Sequence, residues 1–168
     1  MTISMYAASV PVFRQVLNSL SAILTKAETH ATERKIDPAA LLQARLYPDM
    51  LAFTRQVQIA ADFAKGACAR LAGVEVPKYA DQEQSFAELR ARIAKTLEFI
   101  ESLPKSQIDG SEAREINTSA GPNSKTFAGQ AYLTHYALPQ FFFHATTAYA
   151  ILRHNGIDIG KRDFMGSF

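Results

Sequence analysis

Apolar residues at helical spacing constrain this chain more than any other feature. Tyr6, Val10, Phe13, Val16, Leu17, Leu20 and Leu24 fall on one face of a helix, and the stripe extends to Ala27. Pro11 lies within it and predicts either the first turn or a kink. Asp37-Pro38 reads as an N-cap and first helical position, opening a short helix through Leu41 and Leu42. A second long block is predicted from Pro48. It places Met50, Phe53, Val57, Ala60, Ala61, Ala64, Cys68 and Leu71 on one side and closes at Gly73. The third begins at a capping box of Ser85 and Glu88, buries Phe86, Leu89, Ile93, Leu97, Ile100 and Leu103, and stops at Pro104. The fourth is predicted to start near Pro139 and to end at His154-Asn155-Gly156.

Between the third and fourth blocks, residues 104–126 turn polar and rich in Ser, Gly, Asn and Pro. A connection this long in a compact domain has structure or a function of its own. "REINTS" and "KTFAGQAYL" flank the turn signal "AGPN", which predicts a small β-hairpin. The whole pattern predicts an all-α fold, an antiparallel four-helix bundle with a hairpin or long ordered connection before its last helix, in one domain over residues 1–168. With 48% hydrophobic residues, a chain of this length buries about 70% of its unfolded surface.

Charge and cysteine usage exclude several classes. The 18 basic and 16 acidic residues are scattered, with no basic run to track phosphates, so nucleic acid is not an expected partner. Cys68 is the single cysteine and has no internal partner, so the cytoplasm is the expected compartment. Arg14, Gln15, Asn18 and Ser19 interrupt the N-terminal apolar stretch, unlike a signal peptide, and no segment is apolar enough to predict a membrane span. "GIDIGKRD" lacks the spacing and hydroxyl of a phosphate loop.

The segments "ALPQFFFHATTAYAILRHNGIDIGKRDFMG" and "LYPDMLAFTRQVQIAADFAKGACARLAG" resemble an uncharacterised branch of the DinB/YfiT-like superfamily of four-helix bundles. The resemblance implies a cleft that often holds a divalent metal, bound by a histidine on the second helix and a histidine pair four residues apart on the fourth. It also implies homodimers, and members that include thiol-dependent transferases and isomerases. Aligned on Leu152, Arg153 and Gly156, His144 takes one position of the histidine pair and Gln140 the other. The second long block has no histidine; its polar candidates are Gln56, Gln58, Asp62 and Asp49. A glutamine carbonyl is a weak substitute for imidazole or carboxylate, so the metal site reads as degraded. Any zinc or nickel would rest on His144, Gln140 and Gln56, at low occupancy.

Gln140, His144, Thr147 and Ile151 share one helical face. His144 there is either a cleft residue or a core histidine bonded to Gln56 or a backbone carbonyl. The candidate ligand-binding set is His144, Gln140, Gln56, Asp62 and His135, the last placed at the end of the hairpin or in the entry loop, within reach of the cleft mouth but favoured as a surface residue. Arg55 and Asp62, seven apart, read as a solvated or paired couple. His154 suits a helix C-terminus, His30 reads as surface, and Cys68 as a small core residue. Phe141, Phe142 and Phe143 span most of a helical turn, so one ring must point outward and find cover. A homodimer is therefore expected. Two functions stay open: a protein that binds a small molecule between the second and fourth helices, catalytic or not, and an interaction module acting through its dimer surface. A metal- or thiol-dependent transferase is the further alternative that the resemblance adds.

Overall fold

The computed structural model describes residues 3–120 and 123–167, and they form a mostly helical fold with one two-stranded antiparallel sheet. Helix α1 spans Val10–Glu33, with Pro11 in its first turn, where a missing N–H costs nothing. Pro11 therefore marks the helix start. The predicted stripe is buried, with Phe13, Leu17, Leu20, Leu24 and Ala27 almost wholly out of water. Helix α2, Pro38–Leu42, is capped as expected, the Asp37 carboxylate accepting the Ala39 N–H at 3.0 Å.

Helix α3, Phe53–Ala72, begins later than the sequence predicts. Pro48 instead lies in a turned segment closed by the start of α3, whose Phe53 N–H donates to the Ala44 carbonyl just past α2 at 2.9 Å and whose Thr54 hydroxyl donates to the Leu42 carbonyl at the end of α2 at 3.0 Å. Those partners hold residues 43–52 as a closed loop and leave the first helical position to Phe53. Gly73 ends α3 with a φ of +72°, a left-handed cap that other residues adopt only with strain. Helix α4, Phe86–Ser102, starts on Ser85, whose hydroxyl takes the Glu88 N–H at 3.1 Å. The return bond differs from the standard box. Glu88 accepts the Gln84 N–H, one residue before the cap.

After the short α5, Lys105–Ile108, the hairpin forms from β1, Glu115–Ala120, and β2, Asn123–Ala128, with Glu115 opposite Ala128 and Ala120 opposite Asn123. Of its predicted turn "AGPN", Gly121 and Pro122 lie outside the described residues. The last long helix starts well before Pro139. Helix α6, Gly129–Ala131, runs into a π-helical stretch, Tyr132–Ala137, and on into α7, Leu138–His154, with helical dihedrals at both junctions. A proline ring clashes with the carbonyl of the preceding turn, and a wider π-helical turn makes room for it. His135 therefore sits within a helical run, not at the end of the hairpin. Gly129 has no room for a side chain, because a Cβ would press on the Ser111 carbonyl oxygen. Helix α8, Lys161–Met165, folds back onto α1 through the Lys26–Asp163 ion pair at 2.7 Å.

Helix α3 packs against both α7 and α4, and α1 against α4, so that α3 is central. Edge-to-face rings of Phe13 and Phe141, 4.9 Å apart, join α1 to α7. Along the α3–α7 contact, Gln56 meets His144 and Arg70 meets Tyr132, so these two helices run antiparallel. Among the described residues no helix is long and apolar enough to cross a membrane.

Candidate functional site

His144 and Gln56 meet across the α3–α7 contact, with Nδ1 of the imidazole 2.7 Å from Oε1 of the amide. Both side chains are buried, Gln56 at 1% and His144 at 8% exposure. The Gln56 Nε2 donates to the Leu51 carbonyl at 3.1 Å. A carbonyl can only accept, so the amide nitrogen must face Leu51 and its oxygen must face the ring. His144 therefore carries its proton on Nδ1 and presents a lone pair on Nε2. Burial, with the nearby positive charge of Arg55 adding to it, holds the pKa of His144 below the ordinary histidine value. Near neutral pH the ring is uncharged, with its tautomer set by a chain of two hydrogen bonds.

Aromatic rings build the surroundings. The Phe63 ring lies nearly parallel to His144, 6.0 Å between centroids, and Phe143 meets it edge-on at 5.2 Å. Phe63 also contacts Tyr136, which joins Phe127 of β2 and Tyr132. Gln56, Phe63 and Arg70 are spaced by seven residues along α3, and Tyr132, Tyr136, Gln140 and His144 by four along the opposing run. A purely α-helical spacing of four drifts around the axis. The π-helical stretch winds less per residue and brings both tyrosines back into line with His144. A helix starting near Pro139, as the sequence predicts, would leave Tyr132 and Tyr136 off this seam.

The other predicted residues separate into groups. Gln140 is half-buried, one turn before His144. His135 is exposed on the π-helical stretch, and Asp49 is exposed in the loop before α3. Asp62 faces α4 instead of α7, its carboxylate 2.8 Å from both Lys65 and Arg92. Arg55 pairs with Asp81 at 2.6 Å rather than with Asp62, and also donates to Gln58. Cys68 is fully buried, and burial pushes its thiol far above the ordinary range, which opposes the thiolate that a nucleophile needs. Of the three phenylalanines, Phe141 is in the core, Phe142 is half-buried and Phe143 is 55% exposed.

Arg92, which no sequence pattern singles out, is the hub of a second polar cluster. Its side chain is 2% exposed and its guanidinium meets Asp62 at 2.8 Å, Asp81 at 3.0 Å and Glu83 at 2.9 Å. The signal available is its position three residues after Leu89 and four before Thr96, at the edge of the buried stripe of α4. A charge there needs partners.

A family model described as a domain of unknown function, DUF1993, matches residues 5–165. The chain belongs to the DUF1993 family. A solved structure of a DinB family member protein from Shewanella denitrificans is 41% identical to this DUF1993 chain, covers 97% of it and 92% of its own length, and superposes with a TM-score of 0.88. The DinB-like resemblance read from residues 46–73 and 137–166 is thus shown. No curated protein matches the chain.

Proposed function

We propose that this protein binds a small molecule between α3 and α7 beside the hairpin, on a single-domain four-helix bundle, with neutral His144 as its central polar group. The fixed tautomer carries this reading. A buried glutamine and a loop carbonyl hold His144 so that Nε2 can accept a proton or a hydrogen bond. A ligand with an acidic N–H, O–H or S–H group suits that lone pair, and Gln140 and the half-buried rings of Phe63 and Tyr136 offer further contact. His144 could then serve as a general base, since its pKa is held below neutrality rather than above it. Cys68, free and buried, is compatible with a reducing compartment, and the cytoplasm is the proposed location.

The divalent metal that the DinB resemblance implies does not suit this donor set. Among the described residues one imidazole, His144, lies at this contact, and the Gln56 oxygen is already taken by its ring proton. The Asp62 carboxylate is committed to Lys65 and Arg92. Among the described residues no three of His, Cys, Asp and Glu gather as a metal would require. Elemental analysis of protein purified without a histidine tag or chelator should therefore give well under one equivalent of zinc, nickel, manganese or iron per chain. A stoichiometric metal removed by chelator would overturn the assignment of Gln56 and Gln140. For the ligand, side-chain resonances of His144, Gln56 and Phe63 should shift when the protein is exposed to a metabolite extract. Unchanged resonances would reject the binding role.

A second reading draws on Phe143. With its ring 55% exposed and Leu46, Tyr47 and Leu51 also exposed, a self-complementary apolar contact could make the protein an interaction module. Light scattering at micromolar concentration should then give a mass near twice 18.5 kDa. A persistent monomer would remove the dimer.

A further inference from the structure

Residues 74–85 have no regular secondary structure and lie as a strap across α3 and α4. Arg92 holds them from beneath, donating to the Ala80 carbonyl at 3.2 Å and to Glu83 at 2.9 Å. The Tyr79 hydroxyl donates to the Lys95 carbonyl at 3.4 Å. Between the strap and α4 is a cavity of about 460 Å³, within the size range of small-molecule sites.

The charges along this cavity are not equivalent. Arg55, Lys65 and Arg92 are matched by Asp62, Asp81 and Glu83 within one network. Glu83 is also taken by the Gln58 amide at 2.7 Å, and Glu88 accepts the Gln84 N–H. Lys78 and Lys95 remain, and among the described residues neither pairs with a carboxylate. Lys95 is held by the Tyr79 ring, its ammonium 4.4 Å from the centroid, and Lys65 lies against the same ring at 3.8 Å. A further acid, Glu98, lines the adjoining cavity, which Lys78 and Lys95 also line. Outside the network, the charge lining the main cavity is therefore two ammonium groups against the one carboxylate of Glu88, beside a buried arginine whose own charge is matched.

We propose that the cavity between the strap and α4 is a binding site for a small oxyanionic metabolite, a phosphate ester or a carboxylate, held by Lys78 and Lys95 with the Gln82 amide beside them. Two ammonium groups and an amide supply donors for an oxyanion, and the pairing of Glu83 with Arg92 lowers the repulsion it would meet. This site is separate from His144 and stands whether or not that residue binds anything.

The test is a titration of the intact protein with inorganic phosphate and, separately, with malonate at constant ionic strength, monitored by backbone amide resonances. Saturable shifts confined to residues 78–83 and 91–95 are expected, and the stronger of the two responses identifies the oxyanion class. Lys95→Met should weaken binding about tenfold, the effect of losing one charge-assisted hydrogen bond, and Lys78→Met should do the same. Both lysines are exposed, so an unchanged melting temperature checks that each variant is folded. Arg14→Met, beside the separate cleft between α1 and α8, should leave the affinity as it was. Shifts that fail to saturate, that spread over surface lysines elsewhere, or that persist undiminished in the Lys78 and Lys95 variants would overturn the site.

Discussion

Arg92→Met is expected to lower the unfolding free energy by about 3 kcal/mol, the low end of the cost of removing one partner from a buried ion pair. The guanidinium is nearly inaccessible, and its loss leaves Glu83, at 13% side-chain exposure, with the Gln58 amide as its remaining side-chain partner. Asp62 and Asp81 keep 37% and 40% of their side-chain surface in water and retain Lys65 and Arg55, which limits the damage there. Denaturant unfolding measures the difference directly. The melting temperature should fall by about 10 °C, and a variant as stable as the parent would mean that the strap is held by other contacts.

Acid dependence gives this prediction a second readout. Burial alone would raise the pKa values of Asp81 and Glu83, but Arg55 and then Arg92 at Asp81, and Arg92 with a backbone hydrogen bond and the Gln58 amide at Glu83, outweigh it and hold both below the ordinary carboxylate range. A depressed carboxylate adds stability that is complete above its unfolded pKa, near pH 4, and is lost as pH falls through the folded value. The parent should lose that stability below about pH 4. Arg92→Met should show a shallower acid limb, because carboxylates without the guanidinium bind protons more nearly alike in the folded and unfolded chains.

The residues legible in the sequence are those whose partners lie nearby along the chain. Asp37, Ser85 and Gly73 cap the helices that their local patterns predict, and the apolar stripes of α1 and α4 are buried as their spacing requires. Where partners are distant, local pattern misleads. The start of α3 is decided by carbonyls of Leu42 and Ala44, and the last long helix extends back through a π-helical stretch that no apolar period marks. The Arg92 cluster joins α3 and α4 to the strap of residues 74–85, whose sequence carries no helical or strand period. The contact between His144 and Gln56 is among the expected pairings, because the resemblance sets the second and fourth helices face to face. No such likeness reveals the Leu51 carbonyl, which fixes the direction of the amide and so the tautomer of the ring.

His144→Phe is expected to cost about 1–3 kcal/mol, the penalty for leaving one buried polar group without its partner. Phenylalanine can keep the contacts with Phe63 and Phe143, so the loss concentrates on the Gln56 oxygen, which is out of reach of water at 1% residue exposure. Adding Gln56→Leu removes that orphan, and the double variant should be more stable than the two single losses would sum to, although the Leu51 carbonyl then loses its own donor. The pH profile separates the lost imidazole from general loosening. His144 is held neutral in the folded chain, so as pH falls below about 6.5 the unfolded chain takes up the proton first and the parent loses stability; the phenylalanine variant has no such component, and the gap between them should narrow in acid. An unchanged stability would show that Gln56 turns to water in a hydrated cleft. A marked destabilisation with the ligand response of Gln56 and Phe63 intact would assign His144 to the core and reject the binding role proposed for it.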